Sequence, residues 1–452
     1  MRIPSSPPSV SSLIEKLPPD QLGKVFAGIG GQPQAKYLHW EELRRRPAPE
    51  GIDHALWWVR TKIARQAQYK QLPLLDKKAS PFVLASPEAL LIDLHHIDRD
   101  AAGKTAAPGE VTGEHRDRYL LHSLIEESIT SSQLEGASTT RRVAEKMLRE
   151  GRRPRDTSER MICNNFQAME WVREICHEPI TPERVLELHR LLTDETFEHP
   201  EDAGRLRQND DVFVIDPRDN TELHAPPTWT ELPERLERLC AFANMTESDT
   251  PFVHPVARAI LLHFMIGYDH PFADGNGRTA RALFYWSMAR SGYWLVEFLS
   301  ISQFLRRAPS QYVRAYLHTE TDDNDTTYFL LHQTHIIRRA ITALHDYLRE
   351  ATHEQRQTDR LLAASASLRT GLNHRQKVLL THALKHPGDE YRVDSHQKTH
   401  NVVYQTARTD LLDLASLGLL SKEKRGNAYV FLVPQDLAER IAAIARQEGN
   451  GS

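Results

Sequence analysis

Hydrophobic residues recur at three- and four-residue intervals along most of the chain, which is the spacing of amphipathic α-helices. The pattern is helical from residue 37 to about residue 100 and again at 116–135. A third helical stretch, at 255–268, is apolar at most of its positions, as expected of a buried helix. These patterns predict a mainly α-helical protein.

One stretch departs from the helical spacing. Four β-favouring residues precede a cluster of turn-forming residues at 216–220, and a second short run follows at 221–225. Strand-forming residues on either side of such a cluster predict a β-hairpin. The first run consists of Val212, Phe213, Val214 and Ile215.

Changes in composition divide the chain into segments. Residues 101–114 contain Pro108 and three glycines among other small residues, which is typical of a linker. The character of the chain changes again near Gly371, after a charged helical pattern. We predict a helical N-terminal extension (1–100), the linker (101–114), a mostly helical body (115–350), a connecting helix (351–370) and a C-terminal module (371–452).

The composition is that of an ordinary globular protein. The 452 residues favour two or three domains, and 40% hydrophobic with 26% charged residues argues against wholesale disorder. A net charge of −4 argues against a polybasic protein. Three cysteines without CxxC spacing provide neither a disulfide framework nor a zinc site. The apolar stretches are too short to span a bilayer and no signal peptide is visible, so we expect a cytoplasmic protein that does not enter membranes.

The C-terminal module has its own pattern. Helices are predicted at 373–386, 393–401 and 402–417, followed by two strand-like runs within 423–433. Residues 371–433 carry nine basic and six acidic side chains, in contrast to the acidic whole. Three helices followed by a small hairpin resemble a winged helix-turn-helix, which places its third helix in the DNA major groove. The candidate DNA contacts are Gln405, Arg408 and Thr409 on that helix and Lys424 and Arg425 on the wing. A protein-docking or dimerisation module is the alternative, since winged helices serve these roles too.

The residues that carry chemistry lie together at 270–281. Pro271 interrupts the helical pattern, and Gly275, Asn276 and Gly277 tolerate unusual backbone angles before a new helix resumes at about Arg278. A glycine-rich nest that opens into a helix N-terminus is an anion site, because unpaired N–H groups and the positive end of the helix dipole meet there.

Charged side chains in the same stretch extend this site. Arg278 and Arg281 lie three residues apart, so both project from one side of the new helix. Asp274 offers a hard oxygen ligand for Mg²⁺, and His270 has a side chain suited to taking up a proton near neutrality. A base, a metal ligand, an anion nest and two arginines are the groups that phosphoryl or nucleotidyl transfer needs.

The stretch from His270 to Arg281, HPFADGNGRTAR, resembles the Fic family motif HxFx(D/E)GNGRxxR and matches it at every defined position. The resemblance covers roughly 115–350 and includes a Gly-x-x-Arg element that ends at Arg207. It implies an all-helical Fic core with a small β-hairpin flap at 212–225, between the helical extension and the winged helix. Fic proteins typically transfer AMP from ATP to a hydroxyl group of a target protein.

The resemblance also implies roles for these residues. His270 would deprotonate the Ser, Thr or Tyr hydroxyl of the target, and Asp274 would hold Mg²⁺ on the α- and β-phosphates. Gly275, Asn276 and Gly277 would cradle the phosphates, with Arg278 and Arg281 on the outer ones. Relatives that transfer phosphate carry a lysine-bearing variant of this stretch, so the Gly277-Arg278 pair favours AMP transfer. Tyr312 and Tyr316 are either adenine-pocket residues or core residues.

A second short motif precedes the core. The helix at 116–135 ends in SSQLEG, where Ser131 and Glu135 share one face and Gly136 is a helix-stopping residue. The segment resembles the inhibitory motif (S/T)xxxE(G/N) of autoinhibited Fic proteins, whose glutamate pairs with the second arginine of the catalytic motif, here Arg281. A carboxylate in that position would compete with the γ-phosphate of ATP. The alternative role of Glu135 is to orient a water for removal of AMP from a modified target.

Two hypotheses of different class follow. The first is an autoinhibited protein adenylyltransferase that uses ATP and Mg²⁺ and acts on a protein target. The second is a DNA-binding regulator or adaptor in which the Fic core is a ligand sensor. Association with a second copy of the chain is left open.

Overall fold

The computed structural model describes residues 2–18, 23, 25, 36–102, 114–216, 218–363, 365–400, 402–425 and 428–449. The chain divides into two compact units. The first comprises residues 1–106, 127–138 and 155–340, and the second comprises residues 107–126, 139–154 and 341–452. The units therefore do not follow the predicted segments, because the N-terminal extension belongs to the unit that holds the 270–281 stretch. Most of the predicted linker, residues 103–113, lies outside the described residues.

The protein is mainly helical, as predicted. The helices up to residue 363 are α1 (Val10–Ile14), α2 (Trp40–Leu43), α3 (His54–Gln66), α4 (Glu88–Ala101), α5 (Glu114–Leu134), α6 (Arg141–Glu150), α7 (Thr157–Ile175), α8 (Pro182–Thr193), α9 (Leu232–Ala243), α10 (Pro255–Asp269), α11 (Asn276–Arg290), α12 (Ser302–Arg307), α13 (Pro309–Thr321) and α14 (Thr327–Ala363). Of these, α6 and parts of α5 and α14 belong to the second unit.

The centre of the first unit is the antiparallel pair α10 and α11. Pro255 occupies the first turn of α10, where its missing N–H costs no hydrogen bond. Nearly every side chain of both helices is buried, so each helix is covered on all sides. Helix α11 also packs against α7 and α8.

The N-terminal extension also contains two strands, which were not predicted. Strands β1 (Lys70–Leu75) and β2 (Pro81–Leu84) form an antiparallel hairpin between α3 and α4. Alternate residues Leu72 and Leu74 are buried, which is the period of a half-buried strand. The alternation is only a few residues long and contains Pro73, and helical patterns lie on either side of it. The sequence therefore did not predict a strand here.

Buried charges attach the extension to the rest of the first unit. The ammonium group of Lys62 lies 2.6 Å from the Asp322 carboxylate, and both side chains are almost fully buried. The Tyr37 hydroxyl donates to Asp325 at 2.6 Å. Because breaking a buried ion pair leaves an uncompensated charge, these contacts hold Tyr37 and α3 beside the loop that precedes α14.

The predicted hairpin at 212–225 is present. Strands β3 (Val214–Ile215) and β4 (Glu222–His224) are antiparallel, with Val214 opposite His224. Both strands are shorter than predicted, and Val212 and Phe213 precede β3 as irregular chain. The helix before the core also occurs where expected, because α5 ends at Leu134 and Gly136 follows with a φ of +94°.

The C-terminal part of the second unit contains α15 (Ala366–Gly371), α16 (His374–Lys385), α17 (Val393–His400), α18 (Tyr404–Ser416) and α19 (Leu437–Gly449). Strands β5 (Glu390–Tyr391), β6 (Ser421–Arg425) and β7 (Ala428–Leu432) form one antiparallel sheet in the order β5-β7-β6. The three predicted helices and two strands are present, whereas β5 and α19 were not predicted. The predicted boundary at 350 falls inside α14, which runs without a break to Ala363.

One carboxylate joins the three helices of this module. Asp410 on α18 accepts hydrogen bonds from Asn373 and Arg375 at the start of α16, at 2.6 and 2.8 Å, and from His396 on α17 at 3.1 Å. Apolar residues of α16, α18, β7 and α19 pack into one core beneath it.

Among the described residues, none of the helices combines the length and the hydrophobicity that a bilayer span requires.

Candidate active site

The loop between α10 and α11 turns through two left-handed residues. His270 follows the last residue of α10 with a φ of +44° and donates its N–H to the Ile266 carbonyl at 3.0 Å. Gly275 precedes α11 with a φ of +80°, a conformation that glycine adopts without strain. The end of α10 and the start of α11 are thereby brought to the two sides of a short loop.

Asn276 closes this loop from inside. Its side-chain oxygen accepts the N–H of Phe272 at 3.0 Å, and its Nδ2 donates to the Phe272 carbonyl at 2.9 Å. The side chain is buried and both of its polar ends are used. Asn276 can therefore contribute its backbone N–H, but not its side chain, to an anion.

The backbone of the first turn of α11 forms the anion site itself. The first hydrogen bond of this helix runs from the Thr279 N–H to the Gly275 carbonyl at 3.0 Å. The preceding N–H groups, those of Asn276, Gly277 and Arg278, have no partner within the helix. They lie at its positive end, which attracts a phosphate.

His189 on α8 supports the loop from outside, and sequence reasoning missed it. Its Nε2 donates to the Asp274 carbonyl at 2.9 Å, and its Nδ1 accepts the Gly204 N–H at 2.9 Å. The ring stacks on Phe272 at 3.7 Å between centroids. Burial lowers the pKa of His189 to about 4, so the neutral ring can accept and donate at once. A single histidine in an amphipathic helix carries no sequence signal for this role.

Arg207, from the Gly-x-x-Arg element, fixes the backbone of His270. Its Nε donates to the His270 carbonyl at 3.0 Å, and its own N–H donates to the Pro271 carbonyl at 2.9 Å. The same buried guanidinium also bonds to the carbonyls of Asn209 and Pro227. Arg207 thus joins the segment that follows the hairpin to the start of the loop.

The His270 ring is oriented as a proton acceptor. Its Nδ1 lies 3.3 Å from the Gly267 carbonyl, and since a carbonyl can only accept, Nδ1 carries the proton. In the neutral ring Nε2 then presents its lone pair. Burial lowers the pKa of His270, so the ring is in its basic form at neutral pH.

The two arginines of the motif have different surroundings. Arg278 is fully buried, and its Nη1 donates to the Leu192 carbonyl at 2.8 Å. Its Nη2 lies 3.4 Å from the Asp274 carboxylate, whose side chain is 62% exposed. Among the described residues the buried Nε of Arg278 has no hydrogen-bond partner.

Arg281 is held by the end of α5. Its Nη2 lies 2.8 Å from Oε1 of Glu135 and 3.1 Å from the Ser131 carbonyl, and its Nε donates to the Ser131 hydroxyl at 2.8 Å. Although burial opposes the charge, the Glu135 carboxylate raises the pKa of Arg281 above its ordinary value. Gly136 then turns the chain away from the site.

The Glu135 carboxylate also covers the anion site. A Cβ atom built on Gly277 would lie 2.1 Å from Oε1 of Glu135 and 3.0 Å from Nη1 of Arg281. The carboxylate therefore sits against the first turn of α11, where a phosphate would bind.

Replacing Gly277 by alanine tests this proximity. We expect the methyl group to displace the carboxylate from Arg281 and at the same time to fill part of the anion site. Nucleotide binding should therefore fall at least tenfold both in the native sequence and in a Glu135→Gly background. Calorimetric titration with ATP measures the affinity. Gly371→Ala is the matched control, because nothing lies within 4 Å of the added methyl group. Gly292→Ala is unsuitable as a control, because Gly292 has a positive φ. Undiminished ATP binding by the double variant would show that phosphate does not approach Gly277.

Two of the four predicted flap residues, Phe213 and Ile215, lie on the exposed side of the hairpin. The side chains of Phe213 and Ile215 are each 48% exposed, and Trp229, which follows the hairpin, is 41% exposed. Strands β3 and β4 form a sheet of only two strands, so one edge of β3 has no strand beside it among the described residues. Val212 and Val214 are half-buried.

Tyr312 and Tyr316 on α13 pack against α10. The Tyr312 hydroxyl lies 2.7 Å from Nε2 of His263, and the Tyr316 ring stacks on Phe264 at 5.0 Å. Burial raises the pKa of Tyr312 to about 12. These contacts favour the interpretation that the two tyrosines are core residues. Burial, and next the charge of Arg281, lower the pKa of His263.

The predicted DNA contacts lie in the second unit. Gln405, Arg408 and Thr409 are all exposed on the first half of α18, while Ala407 and Leu411 on the opposite side are buried. Lys424 and Arg425 are exposed on β6. Arg425 is not free, because it forms an ion pair with Glu390 at 2.6 Å.

Comparison with known proteins agrees with this geometry. Residues 179–288 match the Fic/DOC family. The "Protein adenylyltransferase Fic" of Nematostella vectensis is 39% identical over 118 residues, which is 26% of this chain and 24% of that protein. The protein of the same name from Drosophila melanogaster is 36% identical over 114 residues, or 25% of this chain and 21% of that one. The matches thus span about a quarter of the length of these relatives.

Solved structures with a similar fold include a Fic family protein from Desulfovibrio desulfuricans G20, at a TM-score of 0.48 and 18% identity over 78% of this chain and 97% of that one. Fic-1 from C. elegans has a TM-score of 0.47 and 18% identity over 77% and 90% of the two chains. The family match contains α8, the hairpin and the whole of α10 with its loop, and most of α11. Residues 179–288 of this chain are therefore a Fic/DOC-family domain.

Proposed function

We propose that the chain is a protein adenylyltransferase that transfers AMP from ATP to a hydroxyl group of a target protein. One observation carries the proposal. The Nε2 lone pair of His270 and the open N–H groups at the start of α11 lie at the two ends of one loop, which Asn276, His189 and Arg207 hold in place. The names of the relatives, which match over this domain, support the same activity.

The reaction follows from these groups. The target hydroxyl oxygen attacks the α-phosphorus of ATP, a new O–P bond forms, and pyrophosphate leaves. His270 Nε2 accepts the hydroxyl proton as the bond forms. The N–H groups of the first turn of α11 and the Arg281 guanidinium bind the negative charge of the phosphates.

Asp274 is suited to Mg²⁺ that enters with the nucleotide. Its carboxylate is mostly exposed beside the anion site, and the described residues contain no group of three or more metal-binding side chains. Mg²⁺ in nucleotide sites is commonly held by one or two carboxylates together with substrate phosphates and water. When bound, the ion would neutralise phosphate charge.

The flap would position the target. An extended segment of the target protein can pair with the open edge of β3 through main-chain hydrogen bonds. This pairing would bring a Ser, Thr or Tyr hydroxyl towards His270 without a dedicated pocket for its side chain.

Glu135 would keep the resting enzyme inactive. Its carboxylate occupies Arg281 and lies over Gly277, so it competes with phosphate for both. The direct test incubates the full chain and its Glu135→Gly variant with Mg²⁺ and ATP labelled at the α-phosphate. We expect label on the protein in the variant and little in the parent, and none from ATP labelled at the γ-phosphate. Label from γ-phosphate would instead establish phosphate transfer, and nucleotide binding without any label would contradict AMP transfer.

Removal of AMP is the alternative activity of the same site, with Glu135 as the residue that orients water. It is tested by adding the parent chain to labelled Glu135→Gly protein. Loss of label that requires both Glu135 and His270 would favour it.

DNA binding by the C-terminal module is a second candidate function. It is favoured by the common exposure of Gln405, Arg408 and Thr409 on the first half of α18. We expect Arg408→Ala to weaken binding of the full chain to duplex DNA by about 1–3 kcal/mol. Fluorescence anisotropy at two salt concentrations measures this, with the exposed Arg349 on α14 replaced by alanine as the control. Equal affinity of the two variants would argue for protein docking instead.

A further inference from the structure

A buried histidine helps to fasten the hairpin at 212–225 to the domain. His224, the last residue of β4, places its Nε2 2.7 Å from the Tyr268 carbonyl in the last turn of α10. Its Nδ1 lies 2.7 Å from Oε2 of Glu320 on α13. The His224 side chain is 6% exposed and that of Glu320 is 20% exposed.

Both partners of this ring are hydrogen-bond acceptors. The Tyr268 carbonyl can only accept, and so can the Glu320 carboxylate. A neutral imidazole has one N–H and can satisfy only one of them, whereas the protonated ring donates from both nitrogens. The observed arrangement therefore matches an imidazolium ion that pairs with Glu320.

The other charged groups near the ring are already engaged. Asp269 is buried and paired with Arg235 at 2.7 Å. Lys77, in the turn between β1 and β2, donates its Nζ to the Ala225 carbonyl at 2.9 Å, and its N–H donates to the Tyr268 hydroxyl at 3.1 Å. The Tyr268 ring lies 4.7 Å from the His224 ring. Of these groups, only Glu320 neutralises the ring by direct contact.

We infer that His224 is a positioning residue whose protonated ring joins the flap to the end of the catalytic helix. Tyr268 precedes His270 by two residues, so the hairpin that would hold the target and the residue that would accept its proton share one anchor. When the pH rises and the imidazolium loses one of its two N–H protons, one of the two hydrogen bonds is lost. The flap then moves independently of His270, and the target hydroxyl is no longer held in line.

The electrostatics of the catalytic histidine agree with this role. Burial is the main cause of the lowered pKa of His270, and the nearby charge of His224 lowers it further. A protonated His224 therefore favours the basic form of His270. The flap anchor and the proton acceptor would work best in the same range of pH.

Hydrogen exchange of the flap tests the anchor without any reference to AMP transfer. In the full chain, we expect exchange of the peptide that covers 212–225, corrected for the intrinsic effect of pH, to become about tenfold faster once the ring is deprotonated, because a charge-assisted bond is lost. In His224→Gln this step should be absent and exchange fast throughout. The control, His199→Gln, replaces a histidine that is 74% exposed and should keep the step.

A second variant separates this role from a merely structural one. In Glu320→Gln, a neutral His224 can donate from Nε2 to Tyr268 and accept at Nδ1 from the new amide. We expect this variant to keep the slow exchange at all pH values and to lose the step. A native chain without a step, or a Glu320→Gln variant that retains the native step, would overturn the proposal.

The consequence for catalysis rests on the proposed function and is measured separately. In the Glu135→Gly background, labelling should decline on the alkaline side, and the added Glu320→Gln change should move or remove that decline. If no variant becomes labelled, the proposal of AMP transfer fails. The hydrogen-exchange data then still show whether His224 anchors the flap. If labelling occurs and the alkaline decline is unaffected by Glu320→Gln, the anchor has no bearing on the reaction and the proposal fails.

Discussion

Replacing His270 by alanine in the Glu135→Gly background is expected to abolish transfer of the α-phosphate label, with a loss of about 10²- to 10⁴-fold. The ring is the only group on the loop whose nitrogen lone pair is directed away from its backbone partner, since Nδ1 is bonded to the Gly267 carbonyl. Without it, the attacking hydroxyl must lose its proton to water.

The backbone angle at this position requires a control. His270 has a φ of +44°, where alanine is strained and asparagine is tolerated. His270→Asn therefore removes the base while it preserves the conformation of the loop. We expect both variants to lose labelling to the same extent and to retain ATP binding, measured by calorimetric titration. Labelling by His270→Asn near the level of its parent would show that the ring is needed only for the loop.

Replacing Glu135 by glycine is expected to increase the initial rate of self-labelling by about 10- to 100-fold, since a charge-assisted bond contributes about 1.5–3 kcal/mol. The change frees Arg281 and uncovers Gly277 together. The measurement is the rate of label incorporation alongside the dissociation constant of ATP.

Two further variants show which effect dominates. Glu135→Gln removes the charge and leaves the bulk of the side chain over Gly277, so its rate should lie between those of the native chain and Glu135→Gly. Glu201→Gln changes an exposed carboxylate away from Arg281 and should leave the rate unchanged. An unchanged rate in Glu135→Gly would remove the inhibitory role and leave the ion pair as a structural contact.

Most of the site could be predicted because its signals are local. The proline after His270 and the Gly275–Gly277 turn lie within twelve consecutive residues, and the helical period at 255–268 directly precedes them. The same holds for the β-favouring runs around 216–220 and for the helix that stops at Gly136. Each of these depends on intrinsic backbone preference, which a short stretch of sequence expresses on its own.

Sequence patterns did not predict the β1–β2 hairpin or the place of the N-terminal extension in the first unit. The hairpin alternates over few residues, and its turn bonds to α10 and α9 through Lys77 and Asp76. The loop between α13 and α14 is tied to α3 through Lys62 and Asp322, which are 260 residues apart. A contact over such a distance leaves no periodic trace in either segment.

The sequence by itself determined which chemical groups this protein brings to the loop at 270–281 and which helix carries Glu135. Only the tertiary structure decided what each group is free to do. It assigned the side chain of Asn276 to Phe272 and that of Arg278 to Leu192. It also brought His189 to the loop, and His224 of the flap to the end of α10. The physical reason is that a hydrogen bond depends on burial and direction as well as residue type, and these arise only when distant segments pack together.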